Sequence, residues 1–564
     1  MHYAQLHQVR QELTGPGGPF EIVESVVLGQ QMKVYKNAPP SAREFWLSTA
    51  AFGPRDYLVY QDERLTYAQA HDQVRAVTAW LWEQGVRPGD RVAIAMRNYP
   101  EWMLIYWACL CLGVAAVGTN AWWTPEELDY ALADSSPKVI FADAERLARL
   151  ADCTAAAAKV PTVAVRANGN TGTIPWADVI AHPGAMPDVT VDPDSDACIF
   201  YTSGTTGHPK GAQLTHRGCV SNLMNLLYAG ASSGMATERG GGAAIPAEPP
   251  VPATLVTTPL FHVTANNCAA YAATAQGGKI VLMYRWEAGE ALKLIEAERC
   301  NGLSGVPVMA RELINHPDFD KYDTSSLLNM SGGGAQVPPD QVGTIDQKIP
   351  SARPSTGYGM TETCGIITSV GGDFFVDRPD SAGPSMPNFD VKCVDDDGNA
   401  VPQGEVGELW VKGSSVIKGY LNRPDANEAS FTDGWLHTGD VARIDEDGFI
   451  YIVDRKKDMV LRGGENVFCT EVEAGIYRHP AVAECCVFGV PDERLGEEVG
   501  VAVVLKPGEV LDAEALRAHC GTVMAKHKVP RYVWFKDQAL PRNANGKFLR
   551  RELRDELARQ TAEA

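Results

Sequence analysis

Residues 201–212 read Tyr-Thr-Ser-Gly-Thr-Thr-Gly-His-Pro-Lys-Gly-Ala, a stretch dense in hydroxyls and glycines with a single lysine. This composition suits a wrapper for phosphate. Gly204 and Gly207 let backbone N–H groups approach an oxyanion, Thr202, Ser203, Thr205 and Thr206 add hydroxyl donors, and Lys210 adds a mobile positive charge. The spacing is not that of a Walker A loop, because Lys210 is followed by Gly211 where that loop has Ser or Thr. A flexible surface loop is the bland alternative. A second string, Ser355-Thr356-Gly357-Tyr358-Gly359-Met360-Thr361-Glu362-Thr363, carries one carboxylate, that of Glu362, able to hold a hard cation between phosphate oxygens.

Groups of this kind need rigid carriers. Residues 197–200 read as a buried strand ahead of the first loop, and a helix is expected from Thr215 onward. Further back, 58–60 and 64–67 predict a short hairpin followed by a helix from Ala68. Strands at 91–96, 114–117, 138–141 and 161–165 then alternate with helices, which argues for a parallel sheet covered by helices. Residues 1 to about 50 read as an irregular lead-in, and the Gly, Ala, Ser and Pro of 232–252 as an exposed loop, ahead of strands at 254–256 and 279–282. After Pro387 the texture changes to short strands and tight turns. The charged stretch 454–458 breaks that pattern, and a compact α+β segment follows.

Bulk properties bound the answer. At 564 residues the chain is too long for one core, and 45% apolar with 21% charged residues is the composition of an ordinary folded protein. A net charge of −20 argues against a nucleic-acid partner, so any anionic ligand must be held by local donors. Thirteen scattered cysteines, without metal-ligand spacing, suit free thiols in a reducing compartment, and the N-terminal residues lack a secretory pattern, so a cytoplasmic location is expected. The most apolar stretch, 102–117, is short of the roughly 20 residues a membrane span needs. No transmembrane segment is expected; peripheral association and a homodimer stay open.

Several ordered motifs, the two strings above foremost, resemble those of the adenylate-forming superfamily of acyl-CoA synthetases, luciferases and peptide-synthetase adenylation domains, most closely its fatty-acid–CoA ligases. The resemblance runs over nearly the whole chain from about residue 50. It implies an α/β fold with a large N-terminal domain of layered α/β sheets plus a small β-barrel-like subdomain (1–454), a hinge (455–457) and a small mobile α+β C-terminal domain (458–564). It also implies ATP, Mg2+ and CoA as ligands, with a carboxylic acid as the other substrate. By resemblance the 202–210 loop, with Gly334, Ala335, Thr356, Gly357, Tyr358, Gly359, Asp440, Ile452 and Arg455, binds the nucleotide, Asp440 gripping the ribose and Tyr358 offering a face to adenine. Thr206 and Glu362 hold the metal, and Thr361 reaches the α-phosphate.

In Ser331-Gly332-Gly333-Gly334-Ala335 the resemblance places the wall of the acid pocket, with Gly333 and His262 facing the acid; a core histidine is the alternative for His262. Lys457 matches the hinge position. Gly463 and Gly464 match the loop lining the pantetheine tunnel, and Lys547 in Leu540-Pro541-Arg542-Asn543-Ala544-Asn545-Gly546-Lys547 matches the adenylation lysine, which bridges the acid and the α-phosphate. The implied activity is AMP-forming acyl-CoA synthesis, on a medium- or long-chain fatty acid or, alternatively, an aryl or steroid-derived acid. A carrier-protein loader, a luciferase-like oxidase and a catalytically silent nucleotide-binding scaffold are the rivals. Absence of a carrier segment favours CoA as acceptor.

Overall fold

Thr66 and Thr124 each open a helix with a reciprocal cap, their hydroxyls accepting from the backbone of Gln69 and Glu127 while those side chains return to the cap backbone. Punctuation of this kind recurs along the computed structural model, which describes residues 3–153, 160–167, 172–202, 208–242, 250–333, 337, 339–463, 465–543 and 547–562. The chain divides into two compact units, residues 1–390 with 412–436, and 391–411 with 437–564.

The first unit holds two large sheets. One runs in the order Lys210–Thr215, Asp196–Thr202, Ala115–Gly118, Arg91–Ala95, Val139–Asp143, Thr162–Val165, Ile174–Pro175, parallel apart from its first pair. The other, of eight strands, runs from Gly365–Gly371 through Arg353–Met360, Asn329–Gly332 and Gly302–Gly305 to the hairpin Asp56–Tyr60 and Glu63–Thr66. The strand and helix alternation anticipated from the sequence is present. Helix Pro100–Leu112 is buried along its whole length, as its unbroken apolar run demands, and ends on Gly113 in the left-handed region at φ 67°. Against its Tyr106 and Trp107 pack Phe45, Trp46 and Tyr271.

Two expectations are corrected. Residues 1–50 are not an irregular lead-in: they form helix Tyr3–Thr14, the hairpin Ile22–Val27 with Gln30–Tyr35, and helix Ala42–Ser48. Nor does a loop begin at Ser232. Helix His216–Arg239 continues through it, because Tyr228, Ser232 and Ala236 recur every fourth residue and are all buried. Residues 243–249 of the expected loop lie outside the described residues.

His216, in the first turn of that helix, is wholly buried, and neither ring nitrogen has a hydrogen-bond partner among the described residues. Burial holds its imidazole at about 4, against an ordinary 6.5, although Cys219, Glu44, Asp196 and Asp192 pull the other way. Between those two values the unfolded chain binds a proton that the folded chain does not. The stability this histidine permits is therefore complete above pH 6.5 and falls as pH drops. His216→Leu is expected to remove about 2 kcal/mol of the loss between pH 7 and pH 5. Urea unfolding of both proteins at the two pH values checks this, and equal losses contradict it.

A further sheet, most of whose residues belong to the second unit, runs in the order Phe449–Arg455, Trp435–Ile444, Gly407–Gly413, Phe389–Val394, its first two strands antiparallel, matching the β-rich texture expected after Pro387. The other sheet of the second unit pairs Val482–Asp492 with Gly496–Leu505 and the short hairpin Val460–Arg462 and Glu465–Val467. Helices Cys469–Tyr477 and Ala513–Val523 add Val472, Ile476, Leu516 and Cys520 to the core beneath it. Among the described residues no helix is long and apolar enough to cross a membrane.

Candidate active site

Thr202 and Lys210 are register partners at the loop end of an antiparallel hairpin, Asp196–Thr202 with Lys210–Thr215. The phosphate-type loop is therefore carried by two strands, the second of which, Lys210–Thr215, begins inside the 201–212 stretch expected to be loop. Ser203, Gly204, Thr205, Thr206 and Gly207 lie outside the described residues. The hairpin's second strand is stitched to residues 418–421: Gly419 and Gly211 carbonyls accept from Gln213 (2.9 Å) and Leu421 (2.8 Å).

Glu362 occupies the one-turn helix Thr361–Thr363, between strands Arg353–Met360 and Gly365–Gly371. The turn is tight. Cys364 adopts φ 56°, and a side chain at Gly359 would run into the backbone carbonyl of Gly365 across the hairpin. Gly357 is nearly as confined, 3.2 Å from the Thr368 carbonyl for an added Cβ. Both glycines are thus explained by strand pairing in the hairpin. Thr356 donates its hydroxyl to the Gly332 carbonyl at 3.0 Å, which pins this strand to its neighbour, and Tyr358 sits on the same strand, half-buried.

The backbone carbonyl of Glu362 accepts from Ile417 at 2.9 Å. Its carboxylate Oε1 accepts from the Tyr420 hydroxyl at 2.8 Å. Over the Tyr420 ring stands the Lys210 ammonium, 4.0 Å from the centroid. Burial lowers the Lys210 pKa, and the charge of Glu362 opposes that shift. Two of the groups singled out from the sequence, Lys210 and Glu362, thus converge. Tyr420 was missed, because nothing in local spacing links it to a carboxylate 58 residues away.

His262 and Gly333, which the resemblance sets beside the acid, are linked among the described residues only through Thr264, two residues beyond His262. The His262 ring lies 4.7 Å from that of Phe261, which meets Trp122 edge-on. A π-helical turn, Thr264–Ala270, follows. Gly333 donates to the Gly305 carbonyl at 2.9 Å, and among the described residues an added Cβ there would touch only Thr264 Cγ2, at 3.6 Å. Gly332 differs: a side chain would collide with Val337. The room expected from three glycines is therefore found at Gly333 but not at Gly332, and Gly334 and Ala335 fall outside the described residues.

In the second unit Asp440 and Arg455 face each other across a strand pair, with Arg455 Nε 3.1 Å from the buried Asp440 carboxylate. Ile452 pairs with Ala442 in the same ladder. Lys456 pairs with Asp396 (2.9 Å) and Glu408 (3.3 Å), a surface charge cluster. Lys457 lies in the turn between Phe449–Arg455 and Val460–Arg462. Gly463, at φ 60°, closes the hairpin Val460–Arg462 with Glu465–Val467, so its glycine is required by the turn itself; Gly464 is outside the described residues. Lys547 stands at the end of a short loop that Asn543 clamps twice, its side chain accepting from the Lys547 N–H (3.0 Å) and its N–H donating to the Lys547 carbonyl (2.8 Å).

The donor set fits a magnesium ion. That cation keeps most of its ligands as water and phosphate oxygens and takes only one or two protein carboxylates. Glu362 supplies one, with Oε1 already hydrogen-bonded and Oε2 without a hydrogen bond among the described residues.

Two family models match the chain: AMP-binding enzyme over residues 45–421, and AMP-binding enzyme C-terminal domain over 471–547. The chain is 36% identical over 493 residues to a feruloyl-CoA synthase from Amycolatopsis sp, covering 87% of this chain and 93% of that protein. It is 34% identical over 547 residues to a long-chain-fatty-acid–CoA ligase from Escherichia coli O6:H1, covering 91% and 93%. Among solved structures, the o-succinylbenzoate CoA synthetase of Bacillus subtilis in complex with its acyl-adenylate intermediate superposes with a TM-score of 0.77 at 29% identity, over 92% of this chain and 99% of that one. The chain belongs to the AMP-binding enzyme family, the adenylate-forming superfamily that its motifs resemble.

Proposed function

We propose that this protein is an AMP-forming acyl-CoA synthetase that activates a medium- or long-chain fatty acid. The observation that carries the reading is the convergence of Lys210 and Glu362 on Tyr420 beside the loop end of the 196–215 hairpin, in a chain of this family. In the first half-reaction a carboxylate oxygen bonds to the α-phosphorus of ATP while the bond to pyrophosphate breaks. Lys547 lies between the two anions and holds them within reacting distance, stabilising the charge that builds between them. Lys210 and the hydroxyls of the 202–206 stretch hold the phosphates, Asp440 accepts from the ribose hydroxyls, and Thr361 meets the α-phosphate. Magnesium, held by Glu362 and Thr206, supplies neutralisation of phosphate charge.

In the second half the CoA sulfur bonds to the acyl carbon, AMP departs with the electrons of the C–O bond, and the thiol proton leaves to solvent. Gly463 and Gly464 line the path of the pantetheine chain. Lys547 and that path serve different halves, so we place a swivel at 455–457, between domains 1–454 and 458–564, to alternate them. We place the protein in the cytoplasm.

The fatty-acid reading is supported by the long-chain-fatty-acid–CoA ligase likeness and by the buried apolar residues Leu260, Phe261, Val263 and Ala265 that flank His262 in the chain. A second reading, an aromatic acid, has a specific observation behind it: the open side of Gly333 leaves width for a flat ring, and the feruloyl-CoA synthase is a relative of similar identity. AMP release with CoA across octanoate, palmitate, ferulate and a steroid-ring propionate is the test. Preference for octanoate or palmitate by at least about tenfold in kcat/KM is expected, that is, roughly 1.4 kcal/mol. Preference for ferulate overturns the fatty-acid reading in favour of the second, and no AMP from any acid overturns both.

A further inference from the structure

Tyr420 touches both groups assigned to the phosphates and is itself held from behind. Its hydroxyl donates to Glu362 Oε1 at 2.8 Å, and its ring carries the Lys210 ammonium at 4.0 Å. Asn427 clamps its backbone on both sides, accepting from the Tyr420 N–H at 2.7 Å and donating to the Tyr420 carbonyl at 3.1 Å. The side chain is buried.

We propose that Tyr420 is a positioning residue that makes Glu362 a one-oxygen metal ligand and keeps Lys210 from closing an ion pair with it. This rests on the reading above, in which Glu362 holds magnesium and Lys210 meets phosphate. A carboxylate with two uncommitted oxygens can chelate a cation through both or rotate between them, and magnesium demands near-ideal octahedral geometry that a bidentate carboxylate strains. Committing Oε1 to the tyrosine hydroxyl fixes the rotation of the carboxylate and leaves Oε2 as the metal-facing atom. The ring has the second task. Lys210 and Glu362 sense each other's charge, and an ammonium left to collapse on that carboxylate would be lost to the phosphates. The π face of Tyr420 gives the ammonium an attractive seat that leaves its N–H donors aimed elsewhere.

The two tasks belong to different atoms and can be separated. Tyr420→Phe keeps the ring and drops the hydroxyl; Tyr420→Leu drops both. The measurement is calorimetric binding of the non-hydrolysable ATP analogue AMPPNP to the full chain, with and without Mn2+. In Tyr420→Phe the gain in affinity that Mn2+ confers is expected to fall about 10- to 150-fold, the size of a lost hydrogen bond to a charged group, while metal-free affinity stays that of the wild type. In Tyr420→Leu the metal-free affinity falls as well. A purely structural role predicts instead that both affinities drop together with thermal stability in both variants, and that result overturns the proposal.

A double-mutant cycle guards against a folding defect. On a Glu362→Gln background, Tyr420→Phe should weaken Mn2+ coupling no further, and an additive loss counts against the assignment. Pyrophosphate release by the wild-type protein from palmitate or ferulate with ATP keeps the two claims apart. If the wild type releases none, the functional reading fails and this role fails with it. If it does, and Tyr420→Phe couples Mn2+ as the wild type does, only the role of Tyr420 is lost.

Discussion

Lys547→Ala is expected to slow acyl-adenylate formation by about 10²- to 10³-fold, the loss typical of removing one well-placed donor to a developing anion. Thioester formation from supplied acyl-adenylate should fall by no more than about threefold, because the second half-reaction no longer brings two anions together. The structure supplies the reason for a loss so large from one side chain. Asn543 holds the Lys547 backbone with one hydrogen bond accepted by its side chain and one donated by its N–H, and the bridge between Arg542 and Phe548 brackets it, so the lysine leaves from a stiff base. A stiff base retains little freedom to lose on reaching the transition state. Pyrophosphate release and acyl-CoA formation, measured separately by rapid quench, decide the matter. Equal loss in both halves places Lys547 in general architecture and removes it from the chemistry.

Lys457→Pro is expected to give the opposite split. Proline fixes its own φ near −65° and drives the preceding residue, Lys456, toward extended backbone. The turn it enters is short: the Arg455 carbonyl accepts from both Asp458 (3.0 Å) and Met459 (3.1 Å), and the Gly439 carbonyl accepts from Lys456 (2.9 Å). If backbone rotation there alternates the two halves, pyrophosphate release should stay within about threefold of wild type while CoA acylation slows by at least about tenfold, as hinge variants do when gating limits turnover. The same two assays as for Lys547 read it out. A uniform loss would mean that the proline damages folding and that the swivel lies elsewhere.

The sheet strands were legible because they are short apolar runs with sharp ends, as at Arg91–Ala95 and Val139–Asp143, where every residue but the first arginine is buried. Helix Tyr3–Thr14 was not, since only Leu6, Val9 and Leu13 mark its inner face and its other positions are polar. Helix His216–Arg239 is hard to follow past Ser232 because Ser, Gly and Ala there run on into Gly240-Gly241-Gly242 and look like loop residues, while the packing of Tyr228 and Ala236 that carries the helix onward is invisible without the fold. At the site, residue type and order were enough to single out Lys210, Glu362, Asp440 and Arg455. The pairing of Asp440 with Arg455 across a ladder and the placement of Tyr420 are products of topology, which brings distant segments together without leaving a local pattern. The glycines carried a different ambiguity: Gly333 leaves open space, whereas Gly332 and Gly359 answer to close packing of Val337 and Gly365.

Oxygen tracing reaches the central chemistry directly. With palmitate or ferulate labelled with 18O in both carboxylate oxygens, mass spectrometry of the products should find one heavy oxygen in AMP for each acyl-CoA formed and none in pyrophosphate, because the acid attacks the α-phosphorus and leaves that oxygen behind when CoA takes the acyl group. Label appearing in inorganic phosphate or in pyrophosphate, with unlabelled AMP, would contradict the account.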